Sequence, residues 1–322
     1  MHDVRLGRSD LRVSAVAFGT WSFGGEWGAV DRAAAVQTVD RALELGINFF
    51  DTAQGYGFGV AERLLAEALW ARVNREDVVV ATKGGLRRDA DRLVRDDSAG
   101  WLRQGVDASL RNLGTDYIDL YQIHWPDLHT PAAETGEALA ALVEAGKIRH
   151  VGVSNYSAEQ MDELSRFVAV ETDQAPYHLF RRDIDESVLP YCGRHDVGVI
   201  VYGALAHGLL TGTMNADTRF AADDWRSKSS DFTGQTFMAN LAVVERLKAF
   251  AADRGISLPQ LAIAWTLAHP AVDVALVGAR HPEHLDESVA AADVKLEEDE
   301  VAAITRIVAD GVPVRGPSPE GM

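Results

Sequence analysis

The chain has 322 residues, 47% hydrophobic and 25% charged, with 28 Gly, 10 Pro and a single Cys, a globular composition that excludes disordered, collagen-like and disulfide-stapled classes. Lys and Arg number 31 against 48 Asp and Glu, a net charge of −17, so the molecule repels polyanions and a nucleic-acid function is not expected. The one cysteine, Cys192, allows no internal disulfide and no thiolate zinc cluster; with a polar start and no apolar run near the roughly 20 residues of a membrane span, a cytoplasmic protein without a membrane partner is expected.

MHDVRLGRSDLRVS reads as an N-terminal hairpin, 4–6 against 12–14. Short β-branched or apolar runs follow at 15–18, 48–50, 78–81, 118–123, 150–153, 170–172, 198–201 and 274–277. Between them, apolar residues recur at three- and four-residue spacing over 33–45, 61–70, 102–113, 134–145 and 158–167, which predicts amphipathic helices. Eight strands alternating with helices match a (β/α)8 TIM barrel, an α/β fold whose chemistry sits on the loops leaving the strand C-terminal ends. The alternation breaks after the seventh strand. There 211–236 is polar and poorly periodic, a long loop, before two further helical stretches at 237–254 and 258–269. From Asp310 on, breakers predict a tail draped over the surface. No linker or repeat interrupts the chain, so 1–322 is expected to be one domain. Neither coiled-coil heptads nor an apolar stripe marks an oligomer interface.

Three strand ends carry titratable residues: FFDTAQGYG with Asp51 and Tyr56, VVVATKGG with Lys83, and YIDLYQIHWPD with His124. A tyrosine of ordinary pKa near 10 gives up its proton poorly at neutral pH unless an ammonium stabilises the phenolate. Lys83 supplies that charge, Asp51 keeps the lysine protonated, and His124 orients a substrate oxygen. Taken singly, the Asp reads as a helix cap, the Lys as a solvated charge and the His as a core residue. Together, at three neighbouring strand mouths, they read as one site.

The blocks NFFDTAQGYGFGVAERLLAEAL, VVVATKGG, LGTDYIDLYQIHWPD, GKIRHVGVSNYS, QAPYHLF and VYGALAHGLLTG resemble, in order, those of the aldo-keto reductase family. They most resemble bacterial NADPH-dependent reductases related to general stress protein 69 and potassium-channel β subunits. The resemblance implies a tetrad of Asp51, Tyr56, Lys83 and His124, with Tyr56 as the acid that protonates a small-molecule carbonyl substrate while NADP(H) delivers hydride. It also implies a cofactor site. Gly19, Thr20, Trp21 and Asp51 would line the nicotinamide end; Ser154, Asn155 and Gln174 would bond its carboxamide; Tyr202 would stack on its ring, though alone it reads equally as a core aromatic. Gly203, Ala204, Leu205, Gly208, Leu210 and Gly212 would wrap the pyrophosphate. Gly278, Arg280, His284, Glu287 and Ser288 would meet the adenosine end, with Arg280 pairing a 2′-phosphate. Ser288 departs from the Asn common in the family, and His284 from Gln or Arg.

No G-x-G-x-x-G opens the first strand–helix turn, and GYGFG (55–59) has the wrong spacing, so no Rossmann cofactor domain is expected. His281 and His284, three apart around a proline, read as a helix start rather than metal ligands. Cys192 reads as a bystander thiol, and His129 and His207 as loop residues that border the pocket. Trp21, Trp27, Phe58 and Trp125 suggest an aromatic substrate pocket, or barrel-to-helix packing. Residues near 224–226 suggest a lid. Two other functions fit the same residues. A redox sensor that holds NADPH and signals to a partner would show little turnover and a co-purifying partner; a cofactor-free lyase or isomerase using Tyr56 and Lys83 would bind no NADPH.

Overall fold

Residues 2–25, 28–90, 92–222 and 224–318 are described by a computed structural model. In chain order, their strands are β1 (Asp3–Arg5), β2 (Arg12–Ser14), β3 (Val16–Gly19), β4 (Phe49–Asp51), β5 (Val79–Gly84), β6 (Leu86–Asp89), β7 (Arg92–Arg95), β8 (Ile118–Ile123), β9 (Ile148–Ser154), β10 (Thr172–Pro176), β11 (Gly198–Tyr202) and β12 (Val274–Gly278). The helices are α1 (Arg32–Glu44), α2 (Val60–Trp70), α3 (Ala99–Leu113), α4 (Ala132–Glu144), α5 (Ala158–Leu164), α6 (Val188–His195), α7 (Gly234–Asp253), α8 (Leu258–Leu267), α9 (Glu283–Ala290) and α10 (Glu298–Val308).

Eight strands close into a parallel barrel in the order β3-β4-β5-β8-β9-β10-β11-β12. Side chains alternate across a strand, so every second residue faces inward. Ala17, Phe49, Ala81, Leu120, Ile200, Val274 and Leu276 form that interior, and Leu6, Leu11 and Val13 of the β1–β2 hairpin join the same cluster, plugging the N-terminal end. The plug fits closely. A Cβ on Gly7, whose φ is +53°, would lie 2.1 Å from the Gly198 nitrogen. The alternate residues, such as Val16, Phe50, Val80 and Tyr121, pack outward under the helices. Helix starts are local: Asp31 and Ser98 accept capping hydrogen bonds, and Ser157–Gln160 and Ser257–Gln260 form capping boxes.

The barrel agrees with the expected fold class, while several bounds move. The third run continues to Gly84 and the sixth is displaced to Thr172–Pro176, because polar residues facing the barrel mouth keep the backbone ladder going where the apolar run stops. The antiparallel β6–β7 hairpin escapes the pattern because LRRDADRLVR has charges on both faces. Helices α6 and α10 were also outside the periodic stretches read above, while α9 begins at Glu283, at the helix start read at His281 and His284. Segment 211–236 is partly ordered: 3-10 turns occupy Trp225–Lys228 and Ser230–Phe232, and Phe232 is buried. The C-terminal segment is anchored rather than draped, since Val314 is buried and donates to the Phe180 carbonyl, and Asn240 bonds Val312 both ways. Among the described residues no helix is long and apolar enough to cross a membrane.

Gly84 ends β5 beside Lys83, where a Cβ would lie 1.8 Å from the Tyr121 hydroxyl oxygen. Gly84→Ala is therefore expected to cost about 1–3 kcal/mol of stability through overpacking, read as a lower denaturant midpoint. A wild-type midpoint would contradict that close approach.

Candidate active site

Two residues beyond the inward Phe49, Ala81 and Leu120, the same rows present Asp51, Lys83 and Gln122. Lys83 and Asp51 form an ion pair, each only 1% exposed. The Lys83 ammonium also donates to the Thr52 carbonyl at 3.1 Å. Asp51 Oδ1 accepts from Gln122 Nε2 at 3.1 Å and Gln174 Nε2 at 2.8 Å. The carboxylate is thus held from three sides.

Tyr56 lies above this pair in the turn after β4. Gly57, Phe58 and Gly59 all have positive φ, +58°, +47° and +91°, which explains the last two glycines of GYGFG: the backbone must coil left-handed there. A Cβ on Gly57 would lie 2.6 Å from the Gly24 carbonyl oxygen. The half-buried Tyr56 ring has its centre 5.2 Å from Lys83 Nζ and 5.6 Å from the His124 ring, which meets it edge-on. Trp21 stacks on its other side at 6.5 Å. His124 is fixed by its backbone N–H donating to the Gly84 carbonyl at 2.9 Å.

Burial pulls the Lys83 ammonium below its ordinary pKa, and the Asp51 charge and hydrogen bond oppose that pull. Burial and, second, the Lys83 charge push His124 well below the usual histidine range, so its imidazole is neutral at pH 7. Its Nδ1 is buried without a hydrogen-bond partner among the described residues. A neutral imidazole keeps one N–H to donate.

These residues floor a cleft of about 640 Å³. Its lining includes Gly19, Thr20, Trp21, Asp51, Tyr56, Phe58, His124, Trp125, Ser154, Asn155, Gln174, Tyr202, Gly203, Ala204, Leu205, Gly208, Gly278, Arg280 and His284. Lys83 lies beneath. Four of the residues assigned above to the cofactor do not line the cleft. Leu210 is fully buried in the core, and Gly212 caps a 3-10 turn against Leu258 and Lys248. Ser288 is buried and turns its hydroxyl back to the His284 carbonyl at 3.0 Å, and Glu287 likewise lies outside the lining. Trp27 falls outside the described residues. The Tyr202 hydroxyl donates to Asn155 Oδ1 at 2.7 Å, and Asn155 Nδ2 donates to the His124 carbonyl at 3.0 Å. These bonds lock one aromatic face at the cleft wall.

The aldo/keto reductase family model matches residues 15–309. The chain belongs to the aldo/keto reductase family. It is 40% identical to an aldo-keto reductase of Bacillus subtilis, over 89% of this chain and 87% of that one. It is 34% identical to a protein of Escherichia coli named NADH-specific methylglyoxal reductase, over 97% and 99%. Among solved structures, a glycerol dehydrogenase from Gluconobacter oxydans superposes with TM-score 0.90 at 40% identity, covering 99% of this chain and 98% of that one.

In this aldo/keto reductase the geometry adds residues that the strand-end reading passed over. Gln122 was legible, since it stands two before His124 on the inward row. Leu86, Arg88, Ala90, Arg92 and Leu93 reach the cleft from the β6–β7 hairpin, and no apolar signal marked that hairpin. His207, read as a loop residue bordering the pocket, does line the cleft; burial and the Arg181 and Arg226 charges push its pKa down to about 4. His129 is exposed and does not line it. Among the described residues no group of three His, Cys, Asp or Glu is placed to hold a metal ion.

Proposed function

We propose that this oxidoreductase is an NADP(H)-dependent carbonyl reductase that converts aldehydes or ketones to alcohols with Tyr56 as general acid. The observation that carries the reading is the buried Lys83–Asp51 pair beneath a half-buried tyrosine, at the floor of a cleft that admits substrate. Tyr56 gives its phenolic proton to the carbonyl oxygen and keeps the O–H electron pair as phenolate. The nearby ammonium lowers the energy of that anion, and Asp51 keeps the ammonium charged. The neutral His124 donates its N–H to the same carbonyl oxygen and orients it.

The residues present fit a dinucleotide. Gly203 and Gly208 hold left-handed backbone, φ +73° and +96°, and offer no side chain to block close approach. Tyr202 presents its anchored ring, and Arg280 and His284 line the rim where α9 begins. A bound nicotinamide would supply the hydride. Arg280 favours a 2′-phosphate, in contrast to the relative named NADH-specific.

Fluorescence titration with NADPH and NADH in parallel tests this choice. A charged hydrogen bond corresponds to roughly a ten- to hundredfold preference for NADPH, and Arg280→Gln is expected to abolish it. An NADH preference in the wild type would remove Arg280 from the role. Consumption of NADPH with 4-nitrobenzaldehyde tests the reaction itself.

A further inference from the structure

The cleft has a charge distribution opposite to that of the whole chain. The protein carries 31 basic and 48 acidic residues. Among the described residues, however, the cleft is lined by Arg88, Arg92, Arg226 and Arg280, of which Arg226 is paired with Asp224 at 2.6 Å, and by one carboxylate, Asp51, which Lys83 neutralises. The arginines fall into two pairs. Arg226 and Arg280 follow β11 and β12, on the rim assigned above to the cofactor. Arg88 and Arg92 stand on the hairpin that continues β5, and in the closed strand order β5 lies four places from β11, across the barrel. A cofactor anion held on the first rim leaves the second pair without a role.

Arg88 is positioned toward the reacting groups. Its guanidinium carbon lies 4.6 Å from the centre of the Phe58 ring, two residues after Tyr56, a cation–π contact that holds it at the cleft. Leu86, on the same face of the ribbon, reaches the tetrad: a Cβ on Gly55 would lie 3.4 Å from Leu86 Cδ1 and 3.9 Å from His124 Nδ1. Two strand residues further place Arg88 about 7 Å beyond Leu86. Asp89 stands across from Arg92 in the register, which puts Arg92 on the ribbon face opposite Leu86 and Arg88; both arginines nevertheless line the cleft, and among the described residues neither forms an ion pair.

We propose that Arg88 and Arg92 form a subsite for an anionic group, a carboxylate or a phosphate, that the carbonyl substrate carries several bonds away from its reacting carbon. The proposal rests on the carbonyl-reductase reading. Guanidinium forks match either anion in bidentate geometry, and in a protein of charge −17 such a pair supplies local attraction against a repulsive field.

The test compares kcat/KM for 4-carboxybenzaldehyde against 4-nitrobenzaldehyde, and for glyceraldehyde 3-phosphate against glyceraldehyde. The first pair reads a carboxylate and the second a phosphate. At least one anionic member is expected to be favoured about tenfold, mainly through KM, as one charged hydrogen bond supplies. In the Arg88→Gln/Arg92→Gln double variant that ratio is expected to fall about tenfold. Equal or better turnover of both neutral members, or a ratio unchanged in the variant, overturns the subsite. If no aldehyde is reduced at all, the carbonyl-reductase reading fails separately, and calorimetric binding of 4-carboxybenzamide against benzamide decides the subsite. Preference for the carboxylate that is lost in the double variant supports it; equal binding overturns it.

Discussion

Tyr56→Phe is expected to lower kcat by about 10²- to 10⁴-fold, the contribution of a positioned general acid, while NADPH affinity changes little. The ring is retained, so its contacts with Trp21 and His124 survive, and only the transferable proton is lost. Single-turnover NADPH oxidation together with a fluorescence titration separates the two effects. Near-wild-type turnover in this variant would transfer the acid role to another group. His124 is the nearest candidate, but an imidazole held neutral by burial and by Lys83 is a poor proton source at pH 7.

The second large effect concerns the buried ion pair. Asp51→Asn removes the charge that keeps Lys83 protonated and leaves a buried ammonium with the Thr52 carbonyl as a remaining partner. Breaking such a pair costs about 3–5 kcal/mol, and phenolate stabilisation is lost with it, so activity and stability fall together. Their pH dependence has a definite sign. Burial already holds the Lys83 pKa below its unfolded value, and losing Asp51 lowers it further. Between the folded and unfolded values the unfolded chain binds more protons, so stability rises with pH. The destabilisation of Asp51→Asn is therefore expected to be larger at pH 6.5 than at pH 9. Chemical denaturation at the two pH values measures it, and an equal loss at both would mean that Lys83 stays charged in the folded variant across that range, as in the wild type. Lys83→Met is expected to be milder in stability, because Gln122 and Gln174 still donate to Asp51, yet equally damaging to turnover.

The alternation of apolar runs with helical periodicity was sufficient for the barrel, because each element must bury one face and the two periods differ. Three residues of the proposed tetrad were legible for a related reason: Asp51, Lys83 and His124 stand at or just past strand ends, where inward residues change from packing the core to facing the mouth. That change also hid detail. Gln174, singled out only by the family resemblance, lies inside β10 rather than beyond a strand, since a polar inward residue satisfied by its neighbours extends a strand without extending its apolar run. Asp173, on the outward face, is buried with its carboxyl pushed up to about 8 by desolvation, a burial that an acidic residue in sequence does not announce.

The order of residues was thus enough for the fold class, the family blocks and the placing of Tyr56 and Lys83 at neighbouring strand ends. Which polar groups meet was decided by closure of the barrel. Gln122 and Gln174 lie 52 residues apart, on strands that are not adjacent, and converge on one oxygen of Asp51. Closure also set the electrostatics. A net charge of −17 is a sum over the whole chain, whereas a cleft responds to the few charges folded around it, and here four arginines line it. A charged hairpin without apolar periodicity brings two of them, so their place at the cleft depends on where β5 ends in space.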